Sequence, residues 1–171
     1  MKKLESIKEL RKICQPEYKQ VRTNPFYRIY RRFFRIFSIY LTKLLLNFNV
    51  SANSISILAF LLGIFGSILF YYGKFLLGSI ILQFWFLADT LDGELARYYY
   101  SKNRNKNYLS KGEFLDLNIH HLVHPLIFIG LSIGLYNLTK NINMIYLGIS
   151  SLFALLLNEL IDLNKVKVMF N

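Results

Sequence analysis

The chain has 171 residues, 54% of them hydrophobic and 16% aromatic, with a formal net charge of +11. Its apolar residues come in long blocks separated by short basic ones, a membrane pattern that excludes an ordinary soluble core. The basic residues flank those blocks and no nucleic-acid-binding motif accompanies them, so the charge points to an anionic leaflet or a phosphate-rich substrate and away from nucleic acid.

Residues 1–24 form a basic segment, with Lys2, Lys3, Lys8, Arg11 and Lys12 placed on a predicted short helix. Met1 to Cys14 is charged throughout and has no apolar stretch of the kind a cleavable signal peptide needs. Cys14 is the only cysteine, so no intrachain disulfide can form; it reads as a small residue of an interfacial segment, with nothing further to support lipidation. Asn24-Pro25 signals a helix start, Asn as cap and Pro at the first helical position. Residues 25–48 then read as an amphipathic helix. Arg28, Arg31, Arg32 and Arg35 share one face by their spacing, and Phe26, Ile29, Tyr30, Phe33, Phe37, Leu41 and Leu44 cover most of the rest. That pattern predicts a helix lying in the interface plane, its arginines on anionic headgroups or, alternatively, on a phosphate-bearing substrate.

Asn53 to Tyr72 is the first predicted span, with Gly63 and Gly66 available for close helix packing. A short turn at Gly73-Lys74 leads to a second span from Phe75 to about Leu91, continuing as helix through Arg97. A polar loop is predicted over roughly 98–111, then a third helix from about Gly112 to Tyr136 with Pro125 inside it, a loop over 137–143, and a fourth span from about Met144 to Leu160. The predicted fold is all-α, a polytopic transmembrane bundle of about four spans preceded by an amphipathic interfacial helix. Its organisation is a basic segment at 1–24, the interfacial helix at 25–48 and a transmembrane domain at 49–171. The two loops on one side hold only Lys74 and Lys140, so the positive-inside rule places the N-terminus, the 98–111 loop and the tail in the cytoplasm.

The chemistry-bearing residues cluster on two predicted helices. Asp89, Asp92, Gly93, Ala96 and Arg97 fall at i, i+3, i+4, i+7 and i+8, a single helical face at the end of an apolar span. Gly112, Asp116, His120 and His124 follow at steps of four on the next helix, with Glu113 beside them. Charges inside a membrane helix are costly and call for partners or a cation. An antiparallel pair would bring Asp89 and Asp92 opposite Asp116, three carboxylates that a divalent ion would reconcile. Oxygen ligands suit Mg²⁺ or Mn²⁺, and two such ions could grip a pyrophosphate. Glycines at 93 and 112 would let a ligand approach the backbone, and Arg97 would offer a charged fork to a phosphate oxygen.

These residues resemble the signature of the CDP-alcohol phosphatidyltransferases, D-x2-D-G-x2-A-R followed after a gap by G-x3-D-x3-D. Asp89-Thr-Leu-Asp92-Gly93-Glu-Leu-Ala96-Arg97 matches the first part, and Gly112-Glu-Phe-Leu-Asp116 the second as far as Asp116. Ser51-Ala-Asn53-Ser-Ile-Ser56 is similar to the Pro-Asn…Thr segment before the family's first span, with Ala in place of Pro. The resemblance implies an integral membrane enzyme in which an alcohol acceptor attacks the phosphorus distal to cytidine and CMP leaves, in phospholipid or related phosphodiester synthesis. It further implies that Asp89, Asp92 and Asp116 bind metal, and that Asp92, Gly93, Ala96, Arg97 and Gly112 line the CDP pocket. Membrane lipids are expected as surroundings, a homodimer is a family-level expectation, and the site would face the cytoplasm. The fourth motif aspartate is His120 here, which can serve as metal ligand or as base. The gap before Gly112 is longer than the commonest form, and about four spans stand where the family usually has six.

Among the remaining residues, His124 reads as a deeper member of the polar face or as a local consequence of a kink at Pro125. His121, roughly 100° around the helix, reads as interfacial or packed. Tyr98-Tyr99-Tyr100 reads as an aromatic belt, or as a platform for cytosine. Glu94 and Glu113 read as supports of the site or as solvated groups, and Asn158, Glu159 and Asp162 as a polar boundary. Two further functions compete with the transferase. One is a truncated or diverged non-catalytic relative that binds nucleotide or lipid or serves as a partner subunit. The other is a carboxylate-lined transporter, for which the expected internal repeats are missing.

Overall fold

The computed structural model describes residues 5–16, 25–103 and 106–170, with side chains described for 5–16, 29–102 and 115–158. Every regular element among them is helical: α1 (Ile7–Cys14), α2 (Pro25–Asn47), α3 (Ala52–Tyr71), α4 (Phe75–Asn103), α5 (Lys106–Thr139) and α6 (Asn143–Phe170). Three stretches are long and apolar enough to cross a membrane, Ala52–Tyr71, Phe75–Lys102 and Leu115–Thr139, and Asn143–Asn158 is a shorter apolar helix. The chain is therefore an all-α membrane bundle, as its hydropathy pattern predicts.

Local chemistry sets the boundaries. Ser6 caps α1 in a reciprocal box with Glu9: the Glu9 backbone N–H donates to Ser6 Oγ at 3.3 Å, and the Ser6 N–H to Glu9 Oε2 at 2.8 Å. Helix α2 starts on Pro25 as expected, while Asn24 lies outside the described residues. Two helices end in the same left-handed turn. At the end of α2, Asn49 has φ 52° and the Val50 N–H reaches back to the Leu45 carbonyl at 3.1 Å. At the end of α3, Gly73 has φ 72° and the Lys74 N–H reaches the Leu69 carbonyl at 2.9 Å.

The predicted loop over 98–111 is not one. Helix α4 runs on to Asn103 and α5 is already helical from Lys106, leaving Arg104 and Asn105 outside the described residues. The stretch is polar but contains neither glycine nor proline before Gly112, so nothing breaks the helices where they leave the apolar zone. Pro125 likewise sits within an unbroken α5.

Two compact units divide the chain, and α3, α4 and α5 each contribute to both. The first comprises residues 1–62 and 82–120. Its core joins Leu10 and Cys14 of α1, Ile39 and Leu46 of α2, Ala52, Ile55 and Ala59 of α3, and Ala88, Leu91 and Leu95 of α4. In this unit α2 is turned inside out relative to a soluble helix. Arg35, Ser38 and Thr42 are buried with Ile39, whereas Ile29, Phe33, Ile36, Phe37, Tyr40 and Leu44 are exposed. This corrects the reading of one arginine face toward headgroups. Arg32 is exposed and Arg31 half-buried, but Arg35 is only 4% exposed, because α2 presents its polar side to the protein. The side chain of Arg28 lies outside the described residues.

The second unit comprises residues 63–81 and 121–171. Here helices meet at small residues. A Cβ at Gly63 would strike Val123, one at Gly130 the Ser67 carbonyl, one at Gly134 the Phe70 carbonyl, and one at Gly148 the Ser132 hydroxyl. Backbones approach this closely only where the side chain is a hydrogen, the usual means of helix association in lipid.

Candidate metal and nucleotide site

Helix α4 carries Asp89, Asp92, Gly93, Ala96 and Arg97, and α5 carries Gly112, Asp116 and His120. The structure brings three of them together. His120 Nε2 lies 2.8 Å from Asp89 Oδ1 and 3.3 Å from Asp116 Oδ1, so one ring nitrogen is aimed between two carboxylates. One donor atom from each of the three residues fits within a mutual distance of 4.8 Å, and all three residues are partly exposed. Trp85, one turn before Asp89, meets the imidazole edge-on with ring centroids 5.6 Å apart.

Asp92, one turn along α4 from Asp89, is not among those three convergent donors. Its side chain is buried at 7% exposure, and Oδ2 accepts a hydrogen bond from Ser56 Oγ at 2.7 Å. Ser56 closes the Ser51–Ser56 segment singled out in the sequence, so its hydroxyl ties the start of α3 to the motif on α4. Gly112 lies in α5 one turn before Asp116. His121 is exposed, and the half-buried His124 belongs to the second unit. The side chains of Glu113, Glu159 and Asp162 lie outside the described residues, and Asn158 is exposed.

Arg97 lies back over Gly93. A Cβ at Gly93 would come within 3.2 Å of one guanidinium nitrogen, while Arg97 Nε donates to the Cys14 carbonyl oxygen at 2.5 Å. The guanidinium is thus anchored at one edge by α1 and seated on a glycine, with Ala96 packed at the rim of the core beside it. Gly93→Ala would crowd the fork by a few tenths of an ångström. The expected result is a weakened affinity for CDP, with little loss of thermal stability; isothermal titration with CDP and a melting curve separate the two.

Behind the motif lies a cluster that the sequence did not reveal. Glu94 is fully buried, with Oε1 accepting from Gln15 Nε2 at 2.8 Å and Ser38 Oγ at 2.6 Å, and Oε2 from Thr42 Oγ1 at 2.6 Å. Of the two readings left open for Glu94, solvation is corrected: its carboxylate joins α1 and α2 to α4. Tyr98 and Tyr99 also differ from a lipid-facing belt. Both are half-buried, the Tyr98 hydroxyl donating to Glu5 and the Tyr99 hydroxyl to the Val50 carbonyl, each at 2.8 Å. Glu5 also pairs with Lys102, and that hydrogen-bonded ammonium holds the Glu5 carboxyl below the usual range.

Cys14 is buried in the same corner, and burial pushes its thiol up to about 12. A group so seldom ionised near neutral pH is a poor nucleophile. Maleimide labelling of the native protein at pH 7.5 is expected to be negligible and to become complete on denaturation; fast labelling of native protein would show that α1 is not docked.

Residues 49–157 match the sequence profile of the CDP-alcohol phosphatidyltransferase family. The chain belongs to the CDP-alcohol phosphatidyltransferase family. No curated protein and no solved structure matches it significantly. The match spans α3 to α6, including both halves of the motif, and the family's reaction is transfer of a phosphate-containing group from a CDP-alcohol. Members are generally divalent-metal dependent, and the donor set of Asp89, Asp116 and His120 is chemically suited to such an ion: two carboxylates, one imidazole, and donor atoms already convergent.

Proposed function

We propose that the protein is a divalent-metal-dependent CDP-alcohol phosphotransferase, moving a phosphoalcohol such as a phosphatidyl group to an alcohol acceptor with release of CMP. The observation that carries this reading is the meeting of Asp89 from the D-x2-D-G-x2-A-R helix with Asp116 and His120 from the following helix. Asp89, Asp116 and His120 are the proposed metal ligands, with Asp92, one turn along α4 from Asp89, as a fourth. A bound divalent ion would neutralise pyrophosphate charge and stabilise the departing CMP oxygen. Arg97 supplies a planar cationic fork to a phosphate oxygen, and its bond to the Cys14 carbonyl restricts the rotamers it must lose on binding. Gly93 and Gly112 let the nucleotide approach the helices, and Ala96 keeps the rim of the pocket low. Asp92, held by Ser56, completes the acidic lining on the motif helix.

His120 Nε2 can ligate an ion or accept a proton from the acceptor hydroxyl, but one lone pair cannot do both at once. We assign it to the metal. The inward orientation of Nε2 toward both carboxylates supports that assignment. The positive-inside rule puts the N-terminus and the site on the cytoplasmic side, where the water-soluble cytidine moiety is released.

A non-catalytic nucleotide-binding relative is the second reading, and one observation favours it: His120 already satisfies lone pairs of both carboxylates. Purified protein in detergent, given a divalent ion and a panel of CDP-alcohols with alcohol acceptors, separates the two. CMP release that requires both substrates supports the transferase. Intact CDP binding with no CMP from any pair leaves the binding protein.

A further inference from the structure

The second half of the motif ends in the imidazole of His120, where the pattern it resembles has a carboxylate. Asp89 and Asp116 contribute hard oxygens, whereas His120 contributes a borderline nitrogen from a ring whose Nε2 lies 2.8 and 3.3 Å from the two carboxylate oxygens. Asp92, one turn along α4, keeps one oxygen on Ser56 and would add a third carboxylate, so His120 is the one nitrogen donor among the proposed ligands. Trp85 packs edge-on against the same imidazole. Mg²⁺ is small and hard, favours six oxygen ligands and gives up water reluctantly, so an imidazole adds little to its binding. Imidazole suits the borderline first-row ions, and Mn²⁺, at the hard end of that series, tolerates a nitrogen ligand better than Mg²⁺ does.

We propose that His120 makes this site selective for Mn²⁺, and for the borderline divalent ions that follow it, over Mg²⁺. The inference rests on the assignment of Asp89, Asp116 and His120 as metal ligands, and it adds which ion they prefer. Nitrogen ligation is the cause of the selectivity, so the two are tested together.

The test uses the full-length protein in detergent, without nucleotide. Mn²⁺ binding is followed by electron paramagnetic resonance, with Mg²⁺ as competitor, and the bound Mn²⁺ is then examined by electron spin echo for modulation from a directly coordinated ¹⁴N. The expected result is tighter binding of Mn²⁺ than of Mg²⁺, together with nitrogen modulation. His120→Asp should lose the modulation and narrow the preference, and His124→Ala should keep both. Equal affinities for the two ions, or Mn²⁺ bound without nitrogen modulation, would overturn the selectivity while leaving the metal site in place. Folded wild-type protein that binds neither ion would overturn the metal assignment as well. Because the modulation is read on the wild-type protein, a His120→Asp variant that failed to fold would not rescue the proposal.

Discussion

Asp89→Asn is expected to reduce CMP release by about 10³-fold or more while leaving the protein folded. Lewis-acid stabilisation of a transferring phosphoryl group amounts to several kcal/mol, and each ~1.4 kcal/mol is a factor of ten in rate. Asparagine keeps the shape of the side chain and can still accept a hydrogen bond from His120, but it removes a negative charge from a three-residue donor set. The loss should therefore fall on the chemical step and on metal affinity, with little change in the melting temperature. Steady-state kinetics over a range of Mn²⁺ concentrations check this. Activity within tenfold of wild type at saturating ion would remove Asp89 from the metal site.

Glu94→Ala is expected to act in the opposite way, on stability first. Truncation leaves the Gln15 amide and the Ser38 and Thr42 hydroxyls aimed at an empty volume in a fully buried position. Leaving buried hydrogen-bond donors without their acceptor costs about 1–3 kcal/mol each. Glu94→Gln, which keeps the volume and one acceptor oxygen, should recover much of that loss. Thermal unfolding in a single detergent compares the three proteins, and Cys14 labelling reports whether α1 has come away. A Glu94→Ala protein that melts within about 2 °C of wild type would show that the network contributes little to the fold.

The two variants divide the motif helix into two sides with different work. Asp89 meets His120 of α5, while Glu94 is bonded to Gln15, Ser38 and Thr42 and Arg97 to the Cys14 carbonyl. The segment Asp92-Gly93-Glu94-Leu95-Ala96 therefore serves both faces, and the helix is fixed in rotation by polar contacts on its back. This explains why α1 and α2, which precede the matched residues 49–157, bear on the site at all. Gln15 reaches Glu94, and the Cys14 carbonyl holds Arg97.

Much of this was legible in the residues themselves. Helix spacing put Asp89, Asp92 and Arg97 on one face and Asp116 with His120 on another, because 3.6-residue periodicity is a property of sequence alone. Hydropathy located the apolar stretches for the same reason. Contacts between elements distant in the chain were not readable that way. That Asp92 pairs with Ser56 while Asp89 pairs with His120 depends on helix rotation, which packing decides. The Glu94 cluster left a faint trace: Arg35, Ser38 and Thr42 recur at steps of three and four on a helix otherwise rich in apolar residues. A soluble-protein habit reads such a stripe as facing water. In a membrane the apolar side can face outward, and the polar side then seeks a buried partner. The 98–111 segment misled for a related reason, since polarity marks where a helix leaves the apolar zone and not where it ends.

The proposed nucleotide site depends on a divalent ion held by residues of α4 and α5. Equilibrium binding of CDP to the purified protein, measured with Mn²⁺ and again after chelation, addresses it without requiring the acceptor to be known. Saturable binding that is lost on chelation, lost in Asp89→Asn and weakened in Arg97→Ala is the expected result. Binding of CDP that is indifferent to the chelator and to Asp89→Asn would contradict the account.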